Sequence, residues 1–246
     1  MLIKKIQEQV VKAPNNVAVK VMDEEYTYLW LDNNSSRISN QISSRLRNSK
    51  SSVIIGLLFE HGVDMISSIL GTLKSGSIYV PLSPKYPQQR LQYILQNSGA
   101  SYVLTNNANI HLAKSLISDI EQIINIDDDF TSLVEVGNRI CNQAYILYTS
   151  GSTGQPKGVL QTQENVYHFC INWATLFQIT SADRLTLFSS FCHDGSAQDV
   201  FTALLYGATL YPCDVMERNE SLNLKEFIIN EKITIWHSVP SLFNFF

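Results

Sequence analysis

The sequence predicts an α/β fold in which largely parallel sheets are flanked by helices. Three observations carry that expectation. Short apolar runs alternate along the whole chain with segments whose apolar residues recur at helical spacing. The run Val53–Phe59 (VIIGLLF) is apolar from end to end, as in a strand covered on both faces. The alternation shows no tandem repeat and no low-complexity stretch, which favours βαβ units over a solenoid or a linker.

Taken in chain order, Val17–Val21 and Tyr26–Tyr28 read as short strands around the turn Asp23-Glu24-Glu25. Residues 29–47 read as a helix, with Leu31, Ile38, Ile42 and Leu46 at helical spacing. A helix over 63–74 follows the Val53–Phe59 strand, and IYVPL at 78–82 is the next strand. Pro81, Pro84 and Pro87 punctuate the next stretch. Pro87 suits the first turn of a helix, where its missing N–H costs nothing; that helix runs to Asn97 with Leu91, Ile94 and Leu95 on one face. Ser101–Thr105 is a strand, 106–121 is polar with a weak helix, and Ile123–Ile126 is a strand closed by the solvated turn Asp127-Asp128-Asp129. Ala144–Thr149 and Val159–Thr162 are strands around a loop at 150–158. Helices at 164–177, 196–206 and 221–230 then alternate with strands Leu185–Ser189, Ala208–Pro212 and Thr234–Val239, and a further helix starts at Ser241.

Composition excludes several classes of function. A net charge of −4 argues against a nucleic-acid surface, and the one basic cluster (Arg45, Arg47, Lys50) is the solvated end of a helix. Cys141, Cys170, Cys192 and Cys213 form no CxxC pair and have no histidine at metal-site spacing. The expectation is buried free thiols in a reducing cytoplasm, with no metal centre. The N-terminal MLIKKIQEQVVKAPNN lacks the apolar core and small-residue cleavage site of a signal peptide. Val53–Phe59, the longest apolar run, is too short to cross a membrane.

The stretch that carries chemistry is AYILYTSGSTGQPKGV at 144–159. A buried strand feeds a loop holding four hydroxyls, on Thr149, Ser150, Ser152 and Thr153, among Gly151, Gly154 and Gly158. Glycines let backbone N–H groups approach a phosphate, hydroxyls donate to its oxygens, and Lys157 after Pro156 adds a full positive charge. The loop is not the G-x-x-x-x-G-K-[ST] type, because Pro156 precedes the lysine and a strand follows. On residue types alone it is either a phosphate loop or a flexible surface turn.

TSGSTGQPKGV at 149–159 resembles the signature loop of the adenylate-forming (AMP-binding) superfamily, which includes acyl-CoA synthetases, luciferases and the adenylation domains of nonribosomal peptide synthetases. Two further segments, LKSGSIYVPLSPKYPQQRLQYILQNS at 73–98 and YTYLWLDNNSSRIS at 26–39, look like the second and first core motifs of the peptide-synthetase branch. Ser77, Ser83 and Trp30 depart from the usual residues there. SFCHDGSAQDVFTALLYGATL at 190–210 resembles the segment that lines the acyl pocket. The resemblance implies ATP phosphate binding by Thr149, Ser150, Gly151, Ser152, Thr153, Gly154 and Lys157. It implies that Asp194 pairs with the α-ammonium of an amino acid, that His193 is a gate or wall residue, and that Gly195 and Gln198 line the side-chain pocket. By residue type alone, Asp194 could equally be a turn or helix-cap residue. His193 stands where phenylalanine is usual and is the feature that favours an acyl- or aryl-acid ligase. Gln163 occupies the neighbourhood of a usual histidine.

The implied reaction activates a carboxylic acid, an amino acid above all, as its acyl-AMP with release of pyrophosphate. ATP and Mg²⁺ are the implied cofactors. The implied partners are a carrier domain bearing phosphopantetheine and neighbouring synthetase domains, with no nucleic acid and no membrane. Residues 1–246 are expected to be the N-terminal portion of one adenylation domain, layered α-β-α-β-α. The rest of its core and the C-terminal lid with the catalytic lysine are expected to lie beyond residue 246. A fragment without those parts is expected to turn ATP over poorly, and an inactive fragment with weak nucleotide binding is the third alternative.

Overall fold

The computed structural model describes residues 2–46, 51–130, 141–150, 155–214 and 224–243. In chain order the elements are α1 (Leu2–Lys12), β1 (Val17–Val21), β2 (Glu24–Thr27), α2 (Tyr28–Arg45), β3 (Ile54–Leu58), α3 (Val63–Lys74), β4 (Ile78–Leu82), α4 (Gln88–Ser98), β5 (Tyr102–Thr105) and α5 (Ile110–Leu116). A 3₁₀ turn at Ile120–Gln122 leads to β6 (Ile123–Asn125), β7 (Gln143–Thr149), β8 (Lys157–Thr162), α6 (Gln163–Phe177), β9 (Arg184–Leu187), α7 (Asp194–Tyr206), β10 (Thr209–Pro212), α8 (Leu224–Asn230) and α9 (Pro240–Phe243). The chain divides into two compact units. One comprises Met1–Leu31, His61–Val63 and Val166–Phe246; the other comprises Asp32–Glu60 and Asp64–Asn165.

The second unit is built on a six-stranded sheet, β6-β5-β3-β4-β7-β8, parallel except for the β7–β8 pair. Its central strands are the continuous apolar runs of the sequence: β4 is buried along its whole length, and Leu57, Leu58 and Val103 are fully buried. Leu91, Ile94 and Leu95 of α4 close over Leu58, Val80, Leu82 and Val103, so the helical face read from periodicity is the face that meets the core. On α3, Lys74 forms a partly buried ion pair with Asp32 at 2.6 Å and also donates to Ser36. Burial lowers the pKa of Lys74, and the bond to Asp32 pulls against that shift.

The first unit holds the four-stranded sheet β2-β1-β10-β9, parallel from β1 to β9 with β2 antiparallel at the edge. Helix α7 packs on β9 and β10 and is buried from Ser196 to Leu205. Phe201, fully buried, is its largest anchor; truncating such a phenylalanine to alanine costs about 3–5 kcal/mol. Tyr28 is buried as well and donates its hydroxyl to the carbonyls of Ala208 at 2.8 Å and Ala203 at 3.2 Å, the two ends of the turn leaving α7. Burial raises its phenol far above the ordinary range.

The α/β reading stands, and several boundaries move. Tyr28 opens α2 instead of ending a strand, because its ring is drawn into the core beside α7. α1, with Leu2, Ile6 and Val10 buried at four-residue spacing, is an additional helix in the N-terminal segment that lacks signal-peptide features. β8 begins at Lys157, two residues earlier than expected, and α7 begins at Asp194. Thr234–Val239 is not a strand: Ile235 makes one isolated parallel bridge to Leu185, and the backbone then turns to bond Thr186 through its side chain. All four cysteines are buried and free. Among the described residues, no helix is long and apolar enough to cross a membrane, and no group of three or more His, Cys, Asp or Glu could hold a metal ion.

Candidate functional site

The phosphate-loop sequence is carried by the β7–β8 hairpin. The antiparallel register pairs Thr149 with Lys157 and Tyr148 with Gly158, so these four residues form the last rungs below the turn. Thr149, Ser150 and Lys157 are exposed, and none of their side chains has a hydrogen-bond partner among the described residues. Gly151, Ser152, Thr153 and Gly154, expected in the same role, lie outside the described residues. Lys157 therefore belongs to the strand and not to the loop. Period-two geometry then puts its side chain on the face opposite that of Gly158.

Gly158 is required by packing. A Cβ there would come within 2.9 Å of Ile146 Cγ2 and 3.1 Å of Tyr148 Cζ. Tyr148 fills that space, donates to Asn97 Oδ1 at 2.8 Å, and has its phenol pushed up by burial. Its ring meets Tyr93 edge-on, and Tyr93 donates to the carbonyl of Pro156 at 3.0 Å. Two tyrosines thus hold the base of the hairpin against α4, and the polar rungs stand clear of the core.

The acyl-pocket sequence belongs to the other unit, where the chain leaves β9 and enters α7. His193 is extended (φ −119°, ψ 151°) and immediately precedes the helix. Its carbonyl accepts from Ser196 N–H at 3.2 Å and Ser196 Oγ at 2.6 Å, which fixes the first turn. Asp194 is the first helical residue. Its Oδ1 accepts from the Gly195 N–H at 2.9 Å, and the side chain remains exposed. The helix start thus anchors Asp194, as its residue type allowed, and still leaves a carboxylate oxygen facing out. The unsatisfied N–H groups of the first turn favour the charge there. His193 is exposed, Gly195 is half-buried, and Gln198 is 9% exposed with its amide nitrogen lacking an acceptor among the described residues.

Two residues of this region escaped sequence reasoning. Asp199 is 2% exposed on α7, and its Oδ1 accepts from His237 Nδ1 at 2.8 Å. Burial pushes the Asp199 carboxyl up to about 6, against the pull of the histidine. The bond to Asp199 raises the His237 imidazole above its ordinary 6.5. The two shifts are compatible: once Asp199 has ionised, it holds the proton on its partner. A Cβ on Gly195 would sit 3.0 Å from Ser189 Oγ and 3.3 Å from His237 Cε1, so Gly195 is the residue that lets the histidine approach α7. The available signal was an acid inside the apolar stretch of α7, which has to find a buried partner.

The sequence and the fold agree with known proteins. The chain is 34% identical over 243 residues to gramicidin S synthase 2 of Brevibacillus brevis, covering 97% of this chain and 5% of that protein. It superposes on the nonribosomal peptide synthetase FmoA3 in its AMPPNP-bound form with a TM-score of 0.83 and 28% identity. The match to the α-methyl-L-serine-AMP-bound form of FmoA3 has a TM-score of 0.86 and 27% identity. These superpositions cover 98% and 100% of this chain and 26% and 27% of that one, so the chain spans a small part of the relatives it matches. The family model described as AMP-binding enzyme matches residues 6–246. With that match running from α1 through the β7–β8 hairpin and α7, the chain belongs to the AMP-binding enzyme family.

Proposed function

We propose that residues 1–246 are the N-terminal portion of an adenylation domain that binds ATP and activates an amino acid as its aminoacyl-AMP, for transfer to the phosphopantetheine thiol of a carrier domain. The observation that carries this reading is the exposed Lys157, with no side-chain partner among the described residues, beside Thr149 at the rungs of the hairpin, in a chain of this family. A polyphosphate fits such a display: the ammonium supplies charge and the hydroxyls of Thr149 and Ser150 supply donors.

In the reaction, a carboxylate oxygen of the acid attacks the α-phosphorus of ATP. The bond from that phosphorus to the bridging oxygen breaks, and pyrophosphate leaves with the electron pair. Little of this needs proton transfer, so the protein's part is positioning and charge neutralisation. Lys157 and the loop hydroxyls orient and neutralise the departing pyrophosphate, and Gly151 to Gly154 are assigned to the same cradle. Mg²⁺, if bound with the nucleotide, would supply further charge neutralisation on the phosphate oxygens. Asp194 pairs with the α-ammonium of the substrate, with His193 as a wall and Gly195 and Gln198 beside the substrate side chain. The peptide-synthetase relatives support the amino-acid and carrier assignments.

Calorimetric titration of ATP into the 246-residue chain tests the reading. Lys157→Ala is expected to weaken ATP about tenfold, the effect of losing one charge-assisted phosphate contact, and to leave AMP binding unchanged. Equal ATP affinity in the two proteins removes Lys157 from the site. The exposed histidine before α7 favours a second reading, an acyl- or aryl-acid ligase. Asp194→Ala separates the two, since it should weaken acids that bear an ammonium group and leave plain carboxylic acids untouched.

A further inference from the structure

A polar cavity of about 300 Å³ opens on the four-stranded sheet of the first unit. Arg184 and Thr209, the first residues of β9 and β10, line it at the amino ends of those strands, with Asn15, Glu25, Ser181 and Tyr211 around them. Asp194 is reached only after the carboxyl end of β9, so none of these residues belongs to the start of α7. Ligands of open α/β sheets usually sit beyond the carboxyl ends of the strands, and a molecule bound here would be a second one.

Two unlike charges share this cavity without meeting. Arg184 Nη1 donates to Tyr211 Oη at 3.0 Å and to the Glu231 carbonyl at 2.9 Å, which fixes the guanidinium. Nε and Nη2, the edge that can grip a carboxylate with two parallel N–H bonds, have no acceptor among the described residues. Glu25 is exposed on β2. It lies 3.9 Å from Lys20, which Glu231 holds closer, at 2.7 Å. Arg184 and Glu25 stand on the two outer strands, β9 and β2, with β10 and β1 between them. Three strand spacings come to roughly 14 Å between backbones, which keeps the two charged groups apart. Asn15 and Ser181 add neutral polar groups to the lining, and neither side chain has a hydrogen-bond partner among the described residues.

We propose that this cavity binds a small zwitterion, its carboxylate on the free edge of Arg184 and its ammonium on Glu25. One guanidinium and one carboxylate balance such a ligand. A phosphate dianion would meet the like charge of Glu25, and a bare amine that of Arg184. The inference stands apart from the adenylation reading, because it uses no residue of the hairpin or of α7.

The test labels the chain with ¹⁵N-arginine and follows the Arg184 Nε resonance, identified by its loss in Arg184→Lys. The probes are glycine, glycylglycine, acetate and inorganic phosphate. At least one zwitterion should move that resonance and bind about tenfold tighter than acetate or phosphate, the effect of one added charge-assisted contact. The two zwitterions read the length that the cavity accepts. Glu25→Gln, a change at an exposed position, should abolish the advantage over acetate. Repeating the titrations in Asp194→Ala keeps the proposed acyl site out of the reading, and the shifts of Arg184 should persist there. Acetate or phosphate binding as tightly as both zwitterions overturns the proposal. So does an advantage that survives Glu25→Gln, a shift that vanishes in folded Asp194→Ala, or an Arg184 resonance that no probe moves.

Discussion

The hairpin that carries Lys157 and the helix start that carries Asp194 place their polar groups in opposite ways. On the hairpin, Lys157 through Leu160 are exposed, and β8 pairs with β7 alone among the described strands. On α7, every residue from Ser196 to Leu205 is buried, Gln198 and Asp199 among them. A charge left in water costs the fold almost nothing and can be removed at little cost. A charge inside has to be paired, and its partner then becomes part of the fold. The exposed groups of the hairpin can therefore be changed with little effect on stability, whereas those around Asp199 cannot.

The largest effect should come from separating the buried pair. His237→Leu leaves the Asp199 carboxylate without its partner, and breaking a buried pair in this way costs about 3 kcal/mol when the remaining group is charged, the low end of the usual range because His237 is only part-buried. The cost depends on pH. Asp199 binds its proton more tightly folded (about 6) than its ordinary 3.8, and His237 binds its own more tightly than its ordinary 6.5. For both, stability is highest at low pH. It is lost for Asp199 as pH rises from about 4 to 6, and for His237 as pH rises past 6.5 through its folded value. The other titratable groups nearby are Asp194, which also raises His237, and Cys170 of α6, which burial keeps neutral by pushing its thiol up to about 11. Urea denaturation should find His237→Leu destabilised most at pH 7.5 and by less than about 1 kcal/mol at pH 5, where Asp199 takes up a proton. An equal loss at both values would mean that the ring acts by packing alone.

A smaller effect, from packing and not from charge, is expected at Gly158. An added methyl would press on Ile146 and on the Tyr148 ring, which is held by Asn97 and edge-on to Tyr93. Overpacking of this kind costs about 1–2 kcal/mol. Gly195→Ala meets the rotatable Ser189 hydroxyl first and should cost less. Thermal unfolding of the two variants would reverse the comparison if Gly195→Ala proved the more damaging.

Much of this architecture was legible in the sequence. Continuous apolar runs gave the central strands, and the spacing of Leu91, Ile94 and Leu95 gave the buried face of α4. The two strands around the Gly- and Ser-rich loop were legible too, but not their antiparallel pairing. What stayed hidden depends on contacts between residues far apart in the chain. Tyr28 reads as a strand residue until Ala203 and Ala208 offer it carbonyls. IWHSV reads as a strand until Thr186 takes its backbone bonds. Asp199 and His237 are 38 residues apart, and no local pattern joins them. α1 is the exception, since its four-residue spacing is as plain as that of α4.

The smallest effect expected is at the residue with the largest assigned role in nucleotide binding. Lys157 is exposed and touches no partner among the described residues, so truncating it removes no contact that folding needs. Lys157→Ala should leave the unfolding free energy within about 0.5 kcal/mol of the parent, the usual range for a surface change. Paired with the ATP titration, this sharpens the contrast between the two regions. A variant that binds ATP more weakly yet unfolds at the parent's midpoint assigns the loss to the ligand contact. A drop in stability that accompanies the drop in binding would place Lys157 among the structural residues, on the same footing as His237.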